Sequence, residues 1–158
     1  MEASALGKIV AELLLAVQAL TGVGASVEPP ELAFLPQQEL AKQVCGRPCE
    51  VYGWFPPGGT IYLDERLDLL DDTLARSILV HELVHFVQQE AGAFRAAADC
   101  AAWLERERQA YDIQLRWIAE QPDARVAFAR FGRRPWKLTC PGEALNAASD
   151  WAGQSGTQ

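Results

Sequence analysis

Both histidines of this 158-residue chain lie in one string, His81-Glu82-Leu83-Val84-His85. Residues four apart on a helix share a face, with β-carbons about 6 Å apart, so the two ring nitrogens can converge on one Zn²⁺ at ~2.0–2.1 Å. Glu82 adjoins the first histidine and can reach the open side of the metal without ligating it, where a general base would take a proton from water. The helix around the string is apolar nearly all round (Ile78, Leu79, Val80, Leu83, Val84, Phe86, Val87) and is expected to be buried. Three buried polar side chains would each lose about 1–3 kcal/mol without partners. A metal supplies that partner for His81 and His85, and a water on the metal supplies it for Glu82.

With no histidine left, the third protein ligand must be an acid or a thiol. Glu105 and Glu107 compete in Trp103-Leu-Glu-Arg-Glu-Arg-Gln-Ala-Tyr111. They point roughly 200° apart on a helix, so only one faces the site. Glu107 shares a stripe with Trp103, Leu104, Ala110, Tyr111 and Gln114, whereas Glu105 lies beside Ala101, Ala102, Arg108, Gln109 and Asp112. A carboxylate on a buried stripe needs a compensating positive charge and one on a polar face does not, which favours Glu107. Cys100 lies on the Glu107 stripe and is an outside candidate.

His81-Glu82-Leu-Val-His85 followed by Glu107-Arg-Gln-Ala-Tyr111 resembles the gluzincin metallopeptidases and, more closely, small and little-characterised bacterial zincin-like families. The resemblance covers roughly residues 50–118. Ala91, six positions after His85, excludes the metzincin extension, which needs a histidine there. The resemblance implies a zinc peptidase with its third ligand on the following helix. Thermolysin-like spacing would put that ligand 20 positions after the second histidine, at Glu105, against 22 for Glu107. Such families often carry an Asp four residues after the ligand glutamate to orient a histidine; here Tyr111 stands there, with Asp112 next to it. They also often set a downstream histidine against the oxyanion; here Tyr111, Tyr62 or an arginine would take that role.

These residues need elements to hold them. Apolar positions from Leu6 to Leu20 follow helical spacing, and the stretch lacks a basic leader, so it reads as an amphipathic helix over about 3–22 and not as a signal peptide. Glu31–Leu35 reads as a short strand closed by Pro36, and Gln37–Val44 as a short helix. Glu50–Phe55 and Thr60–Asp64 flank Pro56-Pro-Gly-Gly59 and predict a hairpin at a sheet edge. Asp71 or Asp72 caps a helix reaching about Glu90, with Gly92 as its stop. Further helices are predicted over Phe94–Glu120, Asp123–Phe131 and from Cys140 to about Trp151. The expected fold is α+β and zincin-like, in a single domain over residues 1–158 with its catalytic core at about 50–120. A small antiparallel or mixed sheet would pack against the buried motif helix and the following ligand helix.

The wider composition narrows the function. Net charge is −7 (14 basic against 21 acidic residues) and pI near 4.8, which argues against nucleic acid or anionic membranes as partners. Mean hydropathy is −0.05 and no run of about 18 apolar residues appears, so no membrane span is expected. Cys45, Cys49, Cys100 and Cys140 are an even set whose connectivity is open, and the three-residue gap between the first two is not that of a zinc knuckle. Disulfides would place the chain in the periplasm or outside the cell; free thiols would suit the cytoplasm.

The leading expectation is a zinc peptidase acting on peptide or protein substrates, with an extended substrate added to the hairpin edge at Thr60–Asp64 and Tyr52, Trp54 and Tyr62 offering pockets. A zincin-like scaffold serving as an interaction module is the rival, for which five tryptophans offer material. A regulatory peptidase cutting a transcriptional repressor is a third reading, which disulfides would disfavour. The basic run Arg130-Phe-Gly-Arg-Arg-Pro-Trp136 reads as a solvated loop. Oligomeric state is open.

Overall fold

The computed structural model describes residues 2–24, 27–93 and 99–132. Within them the chain is α+β, with five helices and one mixed three-stranded sheet. In order these are α1 (Glu2–Thr21), β1 (Glu31–Leu35), α2 (Gln37–Cys45), β2 (Gly53–Trp54), β3 (Thr60–Asp64), α3 (Thr73–Glu90), α4 (Cys100–Ala119) and α5 (Ala124–Phe131). The helix expected from Cys140, Cys140 itself and the basic run beyond Gly132 lie outside the described residues.

Strand order is β1-β3-β2. β1 runs parallel to β3 from Glu31↔Thr60 to Leu35↔Asp64, and β2 runs antiparallel to it through Gly53↔Leu63 and Trp54↔Tyr62. The hairpin is therefore present but shorter on its first side than its β-favouring residues suggest. β3 is the centre of the sheet and not its edge, so the expectation that Thr60–Asp64 receives a substrate strand is corrected. Both its hydrogen-bonding sides are taken, because β1, remote in sequence, fills the side the hairpin leaves open. The edge strand of the hairpin is β2, as the nearby prolines require.

Period-two alternation assigns the sheet's faces. Ile61 and Leu63 enter the main core with Phe55, α1, α3 and α4. On the other side, Leu40, Ala41 and Val44 of α2 pack with Val51, Trp54 and Tyr62. Trp54 and Tyr62 pack on each other with ring centroids 5.3 Å apart, so these two aromatics serve sheet packing. Trp103 and Trp117 are buried along α4, the packing role that their spacing implies.

α1 lays Ile9, Val10, Leu13, Leu14 and Val17 into the core, as its stripe predicts. By length and composition alone, Ser4–Thr21 is also apolar enough to cross a bilayer (mean hydropathy 1.5), a property that the whole-chain average conceals.

Capping sets the helix boundaries. α2 ends at Gly46, whose φ of 65° closes the helix with its N–H on the Lys42 carbonyl. A disulfide joins Cys45 to Cys49 across this turn. α4 begins at Cys100, later than the expected start at Phe94, because Asp99 has extended backbone and accepts from the Ala102 N–H. Residues 94–98 lie outside the described ones.

Asp72 caps α3 by accepting from the Leu74 N–H at 2.9 Å and also takes both Arg130 amines of α5, at 2.8 and 3.0 Å. The Arg130 hydrogen bond holds the Asp72 carboxyl below its ordinary 3.8 against the opposing effect of burial. A depressed carboxyl stabilises the fold above the unfolded value and loses that contribution as pH falls through the folded one. Replacing Asp72 by Ala is therefore expected to cost about 1 kcal/mol in urea unfolding at neutral pH. The gap to wild type should close below pH ~3.

Candidate metal centre

α3 makes its most extensive packing contact with α4, and the candidate site lies between them. His81 and His85 stand one turn apart with their rings edge to face, centroids 4.8 Å apart. Their Nε2 atoms are 3.2 Å from one another. From α4, Glu107 brings Oε2 to 3.3 Å from His81 Nε2 and Oε1 to 3.2 Å from His85 Nε2. A tetrahedral ion with bonds of ~2.0–2.1 Å holds its ligand atoms about 3.3 Å apart. The two ring nitrogens meet that spacing, each faces a different Glu107 oxygen, and one atom from each of the three residues lies within 4.8 Å of the others. All three are essentially buried.

Hydrogen bonds on the far side of each ring decide which nitrogen is bare. Ser77 donates its hydroxyl to the Leu74 carbonyl at 2.7 Å, so its oxygen accepts from the Gln114 amide NH₂ at 3.1 Å. The Gln114 carbonyl oxygen is thereby turned to His81 Nδ1, 3.1 Å away, which must donate. Gln88 donates its NH₂ to the Arg106 carbonyl at 3.1 Å and to Gln109 Oε1 at 2.7 Å, leaving its oxygen for His85 Nδ1–H at 2.9 Å. Both chains end on backbone carbonyls, which cannot reverse roles. Both Nε2 atoms are consequently left as acceptors aimed at a carboxylate, an arrangement that calls for a cation among them.

A proton is a poor substitute. Burial alone would lower His81, yet Glu107 outweighs it and raises that imidazole. Burial, helped by Arg106, pushes His85 down to about 4. One proton on His81 thus leaves His85 unserved, whereas one metal ion serves both. Burial works to raise Glu107 as well, but His85 and His81 opposite pull its carboxyl far below the ordinary range.

Glu82 is also buried, and burial pushes its carboxyl up to about 7. The nearby Phe55 backbone N–H works weakly in the other direction. Its Oε2 has no hydrogen-bond partner, and neither has Glu107 Oε2. Two buried carboxylate oxygens without a hydrogen-bond partner in one site suit the binding of a cation and a water. Arg106, buried on α4, lies 3.4 Å from Glu107 Oε1 and partly offsets the two acids; burial lowers its guanidinium to about 10, still charged at neutral pH.

The cluster resolves the choices left by the sequence. Glu107 joins the histidines. Glu105 is exposed and pairs with Arg108 at 3.8 Å, so the helix face and not the thermolysin-like spacing decides between them. Cys100 is exposed and disulfide-bonded, which removes it as a ligand. Tyr111 packs its ring on His81, centroids 4.4 Å apart, and forms a wall of the site. Tyr62 lies with Trp54 in the α2 cluster and is not part of the site. Asp112 is exposed on α4 and pairs with Arg116 at 3.8 Å; the orienting role falls to glutamines instead. Sequence reasoning missed Gln88 and Arg106 and counted Gln114 only as a neighbour on an apolar stripe. The available signal was a polar side chain, three residues after His85 or seven after Glu107, on faces otherwise buried.

No family model matches the chain, and neither a curated protein nor a solved structure is significantly similar to it.

Titration with Zn²⁺ should show one tight site that is lost in His81→Ala and Glu107→Ala and kept in Glu105→Ala. Gln114→Leu, which frees the His81 ring, should weaken the site about 10–100-fold in competition with a chelating dye.

Proposed function

We propose that the chain is a zinc-dependent peptidase of zincin-like fold and gluzincin type. One observation carries this reading: His81, His85 and Glu107 converge with one candidate ligand atom each within 4.8 Å of the others, while Glu82, on the helix of the two histidines, keeps a buried oxygen without a partner. A purely structural site closes its shell with a fourth protein ligand and has no use for an adjacent base. Zn²⁺ held there would bring the pKa of water near 7 and polarise a scissile carbonyl. Glu82 takes a proton from the attacking water and returns it to the departing amine, a task suited to a carboxyl raised towards neutrality by burial. Arg106 and Tyr111 are the groups beside the ligands available to steady the oxyanion, with Arg106 carrying the charge. An extended substrate would lie along β2, the edge strand next to Glu82, in place of β3.

The disulfide-bonded Cys45, Cys49 and Cys100 favour a periplasmic or secreted setting over the cytoplasm. They also weigh against an intracellular repressor-cutting role.

The near-complete burial of all four site residues favours the rival reading, a metal-binding scaffold without turnover. Glu82→Gln separates the two. The variant should bind Zn²⁺ as wild type does and lose at least ~10²-fold in the hydrolysis of denatured casein. No zinc-dependent, chelator-sensitive cleavage by the wild-type protein would leave the scaffold reading standing.

A further inference from the structure

We propose that Gly53 is the positioning residue for Glu82: the edge strand β2 presses on this carboxylate so closely that only a residue without a side chain fits, and the contact fixes where the carboxylate points. A β-carbon at position 53 would lie 2.9 Å from both Cγ and Oε1 of Glu82 and 3.2 Å from Cδ. All three nearest atoms belong to that one side chain. The backbone itself does not demand glycine, since positive φ among the described glycines is confined to Gly22, Gly46, Gly58 and Gly92. What excludes a side chain here is the occupied space.

Neither partner can step aside. Glu82 sits in the middle of α3 with 1% of its surface exposed, and the backbone of Phe55, just beyond the strand, also bears on its carboxyl. β2 is held in register by Gly53↔Leu63 and Trp54↔Tyr62, and the Asp64 N–H donates to the Tyr52 carbonyl at 2.9 Å. The strand therefore supplies a close surface at Gly53. Glu82 is left with one oxygen unpaired and with His81, Glu107 and Arg106 as its titratable neighbours. A methyl group at position 53 would force the carboxylate off this setting while leaving His81, His85 and Glu107 in place.

The kinetic consequence rests on the peptidase reading; the contact does not. Gly53→Ala is expected to keep one equivalent of Zn²⁺ and to lower the melting temperature by roughly 3–10 °C. Its kcat on a casein-derived peptide should fall about 10–100-fold with KM nearly unchanged. In a Glu82→Ala background, where all three close atoms are gone, the same substitution should move the melting temperature by less than ~2 °C. An equal loss in both backgrounds overturns the proposal, as does wild-type kcat in Gly53→Ala. If Gly53→Ala does not fold, a folded Gly53→Ala/Glu82→Ala protein supports the contact and an unfolded one refutes it. Turnover retained by Glu82→Gln would instead count against Glu82 as the base, and the melting-temperature cycle would still decide the contact.

Discussion

Two imidazole nitrogens and a carboxylate face one another across about 3.2 Å in a buried site, and much of the molecule is arranged around that conflict. In water such groups would be solvated and would separate. Here α3 and α4 are locked by apolar packing on both sides of the cluster, so separation would cost core contacts. A cation is the economical resolution, since a single divalent ion neutralises the carboxylate and accepts both lone pairs. The pairing of Arg106 with Glu107 is a partial answer built from protein alone, and it leaves both histidine acceptors unserved.

The groups behind the ligands give the conflict its direction. A histidine could escape by switching tautomer and offering Nε2–H to Glu107. Gln114 and Gln88 bar that route because their own amide donors are committed, through Ser77 in one case and directly in the other, to main-chain carbonyls. These amides carry no charge. The site therefore lacks the extra negative charge that a carboxylate behind a histidine would bring, and it has a buried guanidinium beside it. With Glu82, Glu107, Arg106 and a divalent ion counted together, the cluster is net positive by one. On the proposed peptidase reading, that balance would suit a developing oxyanion better than a neutral ground state.

The sheet is small because its task is local. β3 is flanked on both sides and filled on both faces, which makes it the rigid member. β2, anchored to it through two register pairs, carries Gly53 to Glu82. Behind β2 the chain is tied by the Cys45–Cys49 disulfide and by Gln37, whose amide donates to the Cys49 carbonyl at 3.1 Å. The edge strand is thus held at its root as well as along its length.

The sequence alone determined the shared face of the motif residues and the buried nature of their helix, because the spacing of His81, Glu82 and His85 and the apolar residues around them are periodic over a single element. A cap at Asp71 or Asp72 and a stop at Gly92 are equally local and legible. Helical phase even separated Glu107 from Glu105, since a carboxylate on an apolar stripe and one on a polar face differ within one helix. Tertiary structure alone decided what depends on residues distant in the chain. β1 crossing to β3 made that strand the centre of the sheet, Gln114 and Gln88 met the ligand rings, Arg106 turned inward, and Gly53 came against Glu82. None of these leaves a periodic trace, because a glutamine, an arginine or a glycine has many structural uses and only its neighbours in space select one.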